Sequence, residues 1–186
     1  MQLARTETPL HYHHEQMKAV STERADIAEV ERKGHLVVRA QLDDSGFANA
    51  VQDLLEYMPP SPCRFSGDSR STMYWLGPTE CLLVVDASLV EEIRKQLREK
   101  FNGHMATVDV SAGQTIIEAR GDDIDVLLKK SCVYDFHPHN FAAGRCVQTN
   151  FAKTSALIAR HDDCFRIIVR RSFADYAWEW IRNALS

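Results

Sequence analysis

Histidine, cysteine and arginine set the chemical possibilities of this 186-residue chain. His11, His13 and His14 are spaced so that their imidazoles could share one metal ion, yet no cysteine or aspartate stands near them at ligand spacing. They read as a solvated cluster on an arm rather than a metal centre. His137 and His139 flank Pro138 in a loop-like stretch, a setting that hosts catalytic groups and also capping side chains. Nucleophilic catalysis needs a serine or cysteine held by a histidine and an acid, and no Gly-x-Ser-x-Gly elbow occurs. Cys146 follows Arg145, and a neighbouring cation can lower a thiol pKa, but its place in a β-type run favours a buried structural thiol. Neither a Gly-x-Gly-x-x-Gly turn nor a phosphate loop is present, so the sequence offers no nucleotide cradle.

Cys63, Cys81, Cys132, Cys146 and Cys164 are odd in number and never form a Cys-x-x-Cys pair. That usage fits reduced thiols in a cytoplasmic protein better than a disulfide framework or zinc knuckle. Lys+Arg is 22 against Asp+Glu 26, a net charge of −4, so no positive field attracts nucleic acid or an anionic lipid surface. No run approaches the roughly 18 apolar residues of a membrane span, and the expected partners include neither membrane nor nucleic acid. With 45% hydrophobic and 26% charged residues, the chain is expected to fold around a core.

Patterning gives the elements that must position any site. Residues 1–33 read as an N-terminal arm with a short helix near Ala25 to Val30. Leu36, Val38, Ala40 and Leu42 alternate as a strand; Phe47, Val51, Leu54, Leu55 and Met58 follow at helical spacing until Pro59-Pro60. Ser71 to Leu76 and Cys81 to Asp86 read as a hairpin about Gly77-Pro78. Ser88 and Glu91 have capping-box spacing ahead of an apolar face of Val90, Ile93, Leu97 and Phe101, and His104 to Val110 is a strand. Residues 34–110 thus run β-α-β-β-α-β, the order of a ferredoxin-like unit. Residues 111–186 make a second β/α unit: a strand at Gln114 to Arg120, a helix with Ile124, Leu127 and Leu128, three β-type runs between Arg145 and Arg171, and a final helix. That helix is expected to be capped by Ser172 and Asp175 and to bury Phe173, Ala177, Trp180, Ile181 and Ala184, leaving Tyr176 and Trp178 on its flanks. The expected fold class is α+β, two pseudo-duplicated half-units in one domain.

Four motifs carry a resemblance. Trp75-Leu76-Gly77-Pro78-Thr79-Glu80-Cys81-Leu82-Leu83, Val108-Asp109-Val110-Ser111 with Gly113-Gln114-Thr115, Gly144-Arg145-Cys146-Val147-Gln148-Thr149, and Val169-Arg170-Arg171-Ser172-Phe173-Ala174-Asp175-Tyr176 occur in this order. Together they resemble the γ subunit family of heterotetrameric sarcosine oxidase, a shortened relative of the folate-binding aminomethyltransferase T-protein. The resemblance implies a structural, non-catalytic chain with no cofactor of its own, working beside α, β and δ subunits. In such a complex the larger subunits are expected to carry FAD, FMN, NAD and the tetrahydrofolate site, and the δ subunit zinc. The expected contact residues are Trp75, Arg145, Arg170, Arg171, Tyr176 and Trp178, since Trp, Tyr and Arg are enriched at protein contacts. The bland alternative is that the Tyr176 and Trp178 rings fold over the sheet edge. The Asn150 to Ile158 stretch lacks the glycines and the acid with which the T-protein holds its pterin, which argues against an independent folate enzyme. Two other readings remain open: the equivalent subunit of an N-methylglutamate dehydrogenase, and a stand-alone folate-binding one-carbon transferase.

Overall fold

The computed structural model describes residues 7–186, so the first six residues of the expected arm lie outside the described residues. After a 3₁₀ turn at His11–His13 come α1 (His14–Val20), β1 (Asp26–Glu29), β2 (Lys33–Arg39), α2 (Ser45–Leu55), β3 (Phe65–Gly67), β4 (Thr72–Gly77) and β5 (Glu80–Asp86). The chain continues through α3 (Val90–Lys100), β6 (Ala106–Asp109), β7 (Gln114–Arg120), α4 (Ile124–Ser131), β8 (Arg145–Phe151), β9 (Thr154–Arg160), β10 (Phe165–Arg170) and α5 (Ala174–Leu185).

These strands form two antiparallel five-stranded sheets, ordered β3-β4-β5-β2-β6 and β8-β9-β10-β7-β1. Written in that direction the two orders are the same pattern. Each sheet takes its last strand from the segment that precedes the other sheet's first long strand: β1 precedes β2 but pairs with β7, and β6 precedes β7 but pairs with β2. Matching backbone bonds extend both exchanges, from Val30 N–H to the Ile116 carbonyl (2.9 Å) and from Val110 N–H to the His35 carbonyl (2.8 Å).

Strand alternation sorts the side chains into three apolar layers. Leu36, Val38, Leu83 and Val85 pack under α2 and α3. Ile117, Ile158, Ile167 and Val169 pack under α1, α4 and α5. Tyr74, Leu82, Val84, Ile116, Leu157 and Ile168 fill the space between the sheets, giving a helix-sheet-sheet-helix sandwich.

Four expectations need correction. The helix expected at Ala25 to Val30 is strand β1, because pairing with β7 supplies hydrogen bonds that outweigh the helix propensity of its Ala and Glu residues. The segment before it is not an extended arm, since Leu10 and Met17 are buried in the core. Ser88 and Glu91 form no capping box. Residues Ala87–Leu89 make a 3₁₀ turn instead, and the Asp86 carboxylate accepts from the Ser88 N–H at 2.9 Å and from its hydroxyl. A second 3₁₀ turn at Arg171–Phe173 delays the start of α5 to Ala174, with no side-chain cap. The buried stripe therefore runs Ala174, Ala177, Trp178 and Ile181, leaving Phe173 43% exposed and Trp180 half-buried.

Glu29 fastens the N-terminal segment to the second sheet. Its buried carboxylate accepts from the Thr115 hydroxyl beneath it and from the Thr8 hydroxyl and Leu10 N–H above it, and lies 2.7 Å from His14 Nε2. Gly121 (φ +106°) lets the chain pass close by, since a Cβ there would meet the Arg24 carbonyl oxygen at 2.3 Å. Replacing Glu29 with Ala strands several buried donors, and urea unfolding is expected to show a loss of about 3 kcal/mol, with Glu29→Gln losing less.

Candidate functional site

The strongest concentration of buried polar groups lies at one end of the inter-sheet layer. Register places Arg166 of β10 directly opposite Glu118 of β7, with Nε 3.0 Å from the carboxylate. Glu118 also pairs with Arg120, which reaches Asp163 at 3.2 Å. From the facing sheet, the Tyr74 hydroxyl lies 3.2 Å from His161 Nε2, whose ring sits 4.3 Å from that of Phe65. A cavity of about 460 Å³ opens here, lined in part by Phe65, Glu118, His161, Cys164 and Arg166.

Burial and pairing fix the charge states. Burial alone would raise the Glu118 pKa, but the hydrogen bond from Arg166 and the charge of Arg120 hold it below the ordinary carboxylate value. Burial also pushes His161 down to about 4, helped by the Arg166 charge, so its imidazole is neutral at pH 7. His35, in the same layer, is pushed down by burial to about 4, and both its ring nitrogens lack hydrogen-bond partners. Burial raises the thiols of Cys81, Cys132, Cys146 and Cys164 to about 12. At neutral pH these thiols are protonated, and neither shifted histidine titrates near 7. The cluster ties β7 to β10 through Glu118 and Arg166 and ties one sheet to the other through Tyr74 and His161.

Beside it runs a seam joining the two sheets. The Phe65 N–H donates to the Gly144 carbonyl at 3.2 Å and the Cys146 N–H to the Cys63 carbonyl at 3.0 Å. The Cys146 thiol donates to the Arg64 carbonyl at 3.1 Å, and Gln148 Nε2 donates to the Leu76 carbonyl at 2.7 Å. Gly144 takes φ +83° where the loop enters β8. The cation beside Cys146 thus leaves its thiol unactivated.

The structure distributes the expected contact residues over three places. Half-buried Trp75 and Arg145 border the seam, where Arg145 donates to the Asn140 carbonyl at 2.8 Å. Arg170, Arg171 and Tyr176 are exposed where β10 passes into α5, beside exposed Phe173. Trp178 is fully buried and cannot contact a partner; its indole N–H donates to Gln16 at 3.4 Å. The histidines of the N-terminal cluster pair with acids: His13 with Asp175 at 2.9 Å, and His14 with Glu29 and, at 3.3 Å, Glu31. His137 and His139 stack with ring centres 5.2 Å apart in their loop. The Glu118, Arg166, Tyr74 and His161 cluster escaped sequence reading, because its members lie on four strands and turns distant along the chain. The available signal was an acid and an arginine at inward positions of otherwise apolar strands.

Comparison with known proteins follows the same lines. The model of the sarcosine oxidase, gamma subunit family matches residues 39–186. A sarcosine oxidase subunit gamma from Corynebacterium sp. strain U-96 is 28% identical over 172 residues, covering 90% of this chain and 82% of that one. Among solved structures, a chain of the heterotetrameric sarcosine oxidase from Corynebacterium sp. U-96, in complex with pyrrole 2-carboxylate, superposes with a TM-score of 0.85 and 27% identity. It covers 99% of this chain and 95% of that one. The glycine cleavage system aminomethyltransferase T from Bartonella henselae shares the fold, with a TM-score of 0.69 at 13% identity, covering 96% of this chain and 57% of that one.

The two depressed histidines give the fold a signed pH dependence. In the unfolded chain an imidazole takes up its proton near pH 6.5, whereas His35 and His161 stay neutral in the fold down to about pH 4. Their contribution to stability is present above about pH 6.5 and falls away as pH drops toward 4. Urea midpoints measured across that window should decrease steadily, and His161→Gln should remove about half of that slope.

Proposed function

Because the chain belongs to the sarcosine oxidase gamma subunit family, we propose that it is the structural, non-catalytic γ subunit of a heterotetrameric, flavin-dependent sarcosine oxidase in the cytoplasm. The observation that carries this reading is the superposition on the chain from a heterotetramer over nearly the whole length, with a TM-score of 0.85.

In this reading the α, β and δ subunits hold FAD, FMN, NAD, zinc and the tetrahydrofolate site. Oxidation of sarcosine to glycine is theirs, with the one-carbon unit passing to tetrahydrofolate or leaving as formaldehyde and the electrons reaching oxygen to give hydrogen peroxide. The residues of this chain do not fit tetrahydrofolate as the T-protein fold holds it. Where the resemblance implies an acid for the pterin, this chain has the Asn150 to Ile158 stretch, whose Ala156, Leu157 and Ile158 are buried and apolar. A pterin buried there would lack a carboxylate for its ring N–H groups.

The chain's own task is to present a rigid face. Arg171, Phe173 and Tyr176 are exposed within one turn-and-helix junction, combining a cation with two aromatic rings, the composition of a contact centre. Trp75, Arg145 and Arg170 complete the proposed contact set, and Trp178 anchors α5 from inside.

Co-expression with the neighbouring subunits is expected to give an active oxidase that retains this chain through gel filtration; an active oxidase lacking it overturns the proposal. Since Arg171 and Tyr176 are exposed, the double substitution Arg171→Glu with Tyr176→Ala should leave the circular dichroism spectrum of the chain unchanged. It should weaken assembly by about thirtyfold, the loss of about 2 kcal/mol expected of a contact hot spot. Titration of the full chain with tetrahydrofolate should show no saturable binding.

A further inference from the structure

The seam between the sheets sets two thiols against each other. The antiparallel bridge between Arg64 and Arg145 puts Cys63 opposite Cys146, and the Cys146 N–H donates to the Cys63 carbonyl at 3.0 Å. Opposed residues of a hydrogen-bonded antiparallel pair have Cα atoms about 5.5 Å apart, inside the range of roughly 4.4–6.8 Å that a disulfide spans. The Cys146 sulfur also lies 3.1 Å from the carbonyl oxygen of Arg64, the residue next to Cys63. The two thiols differ in exposure: Cys146 is buried in the layer between the sheets, whereas Cys63 is half-buried in a turn. That turn, Ser61-Pro62-Cys63-Arg64, is closed by the Arg64 N–H on the Ser61 carbonyl at 3.1 Å, and Cys63 takes φ +58°. A positive φ after proline in a turn favours glycine, so a thiol stands where the backbone alone would select no side chain. Burial raises the Cys146 thiol to about 12, and the nearby charge of Cys63 adds to the effect. The other cysteines lie away from the seam: Cys81 packs under the helices of the first sheet, Cys132 ends α4 and Cys164 precedes β10.

We propose that Cys63 and Cys146 are a peroxide-oxidisable pair whose disulfide locks the seam between the two sheets. Hydrogen peroxide meets Cys63, the more accessible member of the pair. The Cys63 sulfur attacks one peroxide oxygen: an S–O bond forms, the O–O bond breaks, and the departing hydroxide takes the thiol proton and leaves as water. The Cys146 sulfur then attacks the sulfenic sulfur: the S–S bond forms, the S–O bond breaks, and the second hydroxide leaves as water with the Cys146 proton. Two thiols thus lose two electrons, and one peroxide becomes two waters. The buried thiol needs no oxidant of its own, because its opposed position delivers it to the sulfenic sulfur. The new bond joins the first sheet to the second where only hydrogen bonds joined them before. The inference rests on the proposed function only for the origin of the peroxide, and the test supplies peroxide directly, so the two can fail separately.

The full chain, reduced and then treated with hydrogen peroxide, is followed by intact mass and tryptic mapping. The mass is expected to fall by two hydrogens, with a crosslink between the Cys63 and Cys146 peptides of one chain that dithiothreitol reverses. Its urea midpoint should rise on oxidation, because the crosslink constrains the unfolded chain. Glycine suits φ +58°, so Cys63→Gly tests the thiol without testing the fold, and it should lose both the crosslink and the peroxide-dependent rise. In Cys146→Ser the sulfenic acid has no partner, and dimedone should label Cys63. A chain that millimolar peroxide leaves unchanged overturns the proposal, as does a crosslink between two chains or between other cysteines. Crosslinking of Cys146 that persists in Cys63→Gly, or an oxidised chain that unfolds at no higher urea concentration than the reduced one, overturns it equally.

Discussion

The reciprocal exchange of edge strands constrains everything else in this molecule. β1 completes the sheet built by β7 to β10, and β6 completes the sheet built by β2 to β5. Each sheet therefore lacks an edge until the segment ahead of the other sheet has been placed. Face-to-face packing of the two sheets over Tyr74, Leu82, Ile116, Leu157 and Ile168 is a consequence, because the connections from β1 to β2 and from β6 to β7 are too short to let them part. Separating the halves would expose that layer and break both edge pairings together, so the chain unfolds as one unit.

Within that frame the middle layer is graded. Its centre is aliphatic, while its two ends carry polar side chains in opposite states. At one end Glu118, Arg120, Arg166 and Asp163 neutralise one another, and Tyr74 and His161 complete the network across the sheets. Glu118 and Arg166 are the buried members, and removing either strands the other, which makes the pair a device for fixing sheet alignment. At the other end Gln114 and Arg170 stand beside an open cleft. The same two strands thus close the layer with paired charge at one end and leave it open at the other.

Much of this was legible in the sequence because it is local. Alternation in Leu36 to Ala40, helical spacing from Phe47 to Val51, and the hairpin about Gly77-Pro78 all reappear as β2, α2 and the β4-β5 pair. What escaped depends on contacts far along the chain or on phase. Four residues of β1 carry too little pattern to outweigh the helical leaning of Ala and Glu, and pairing with β7 decides the matter. Counting the helix from Phe173 puts Trp178 on a flank; a 3₁₀ turn of three residues per turn resets the phase and swings the indole into the core. The Glu118 and Arg166 pair spans 48 positions and needs the β7-β10 register to exist at all. The family motifs were readable where their residues form turns and strand ends, as in Gly144-Arg145-Cys146 at the seam.

The strand exchange also dictates when the protein can fold during its synthesis. β1 leaves the ribosome well before its partner β7, which lies about 90 residues later, from Gln114 onward. The sheet that β1 borders is complete only when β10, ending at Arg170, has also emerged. The first sheet can close once β6 is made, but its inner face stays uncovered until the second arrives. Independent folding of the two halves in turn is therefore denied to this chain, and its apolar inner surfaces must remain shielded until β10 has emerged.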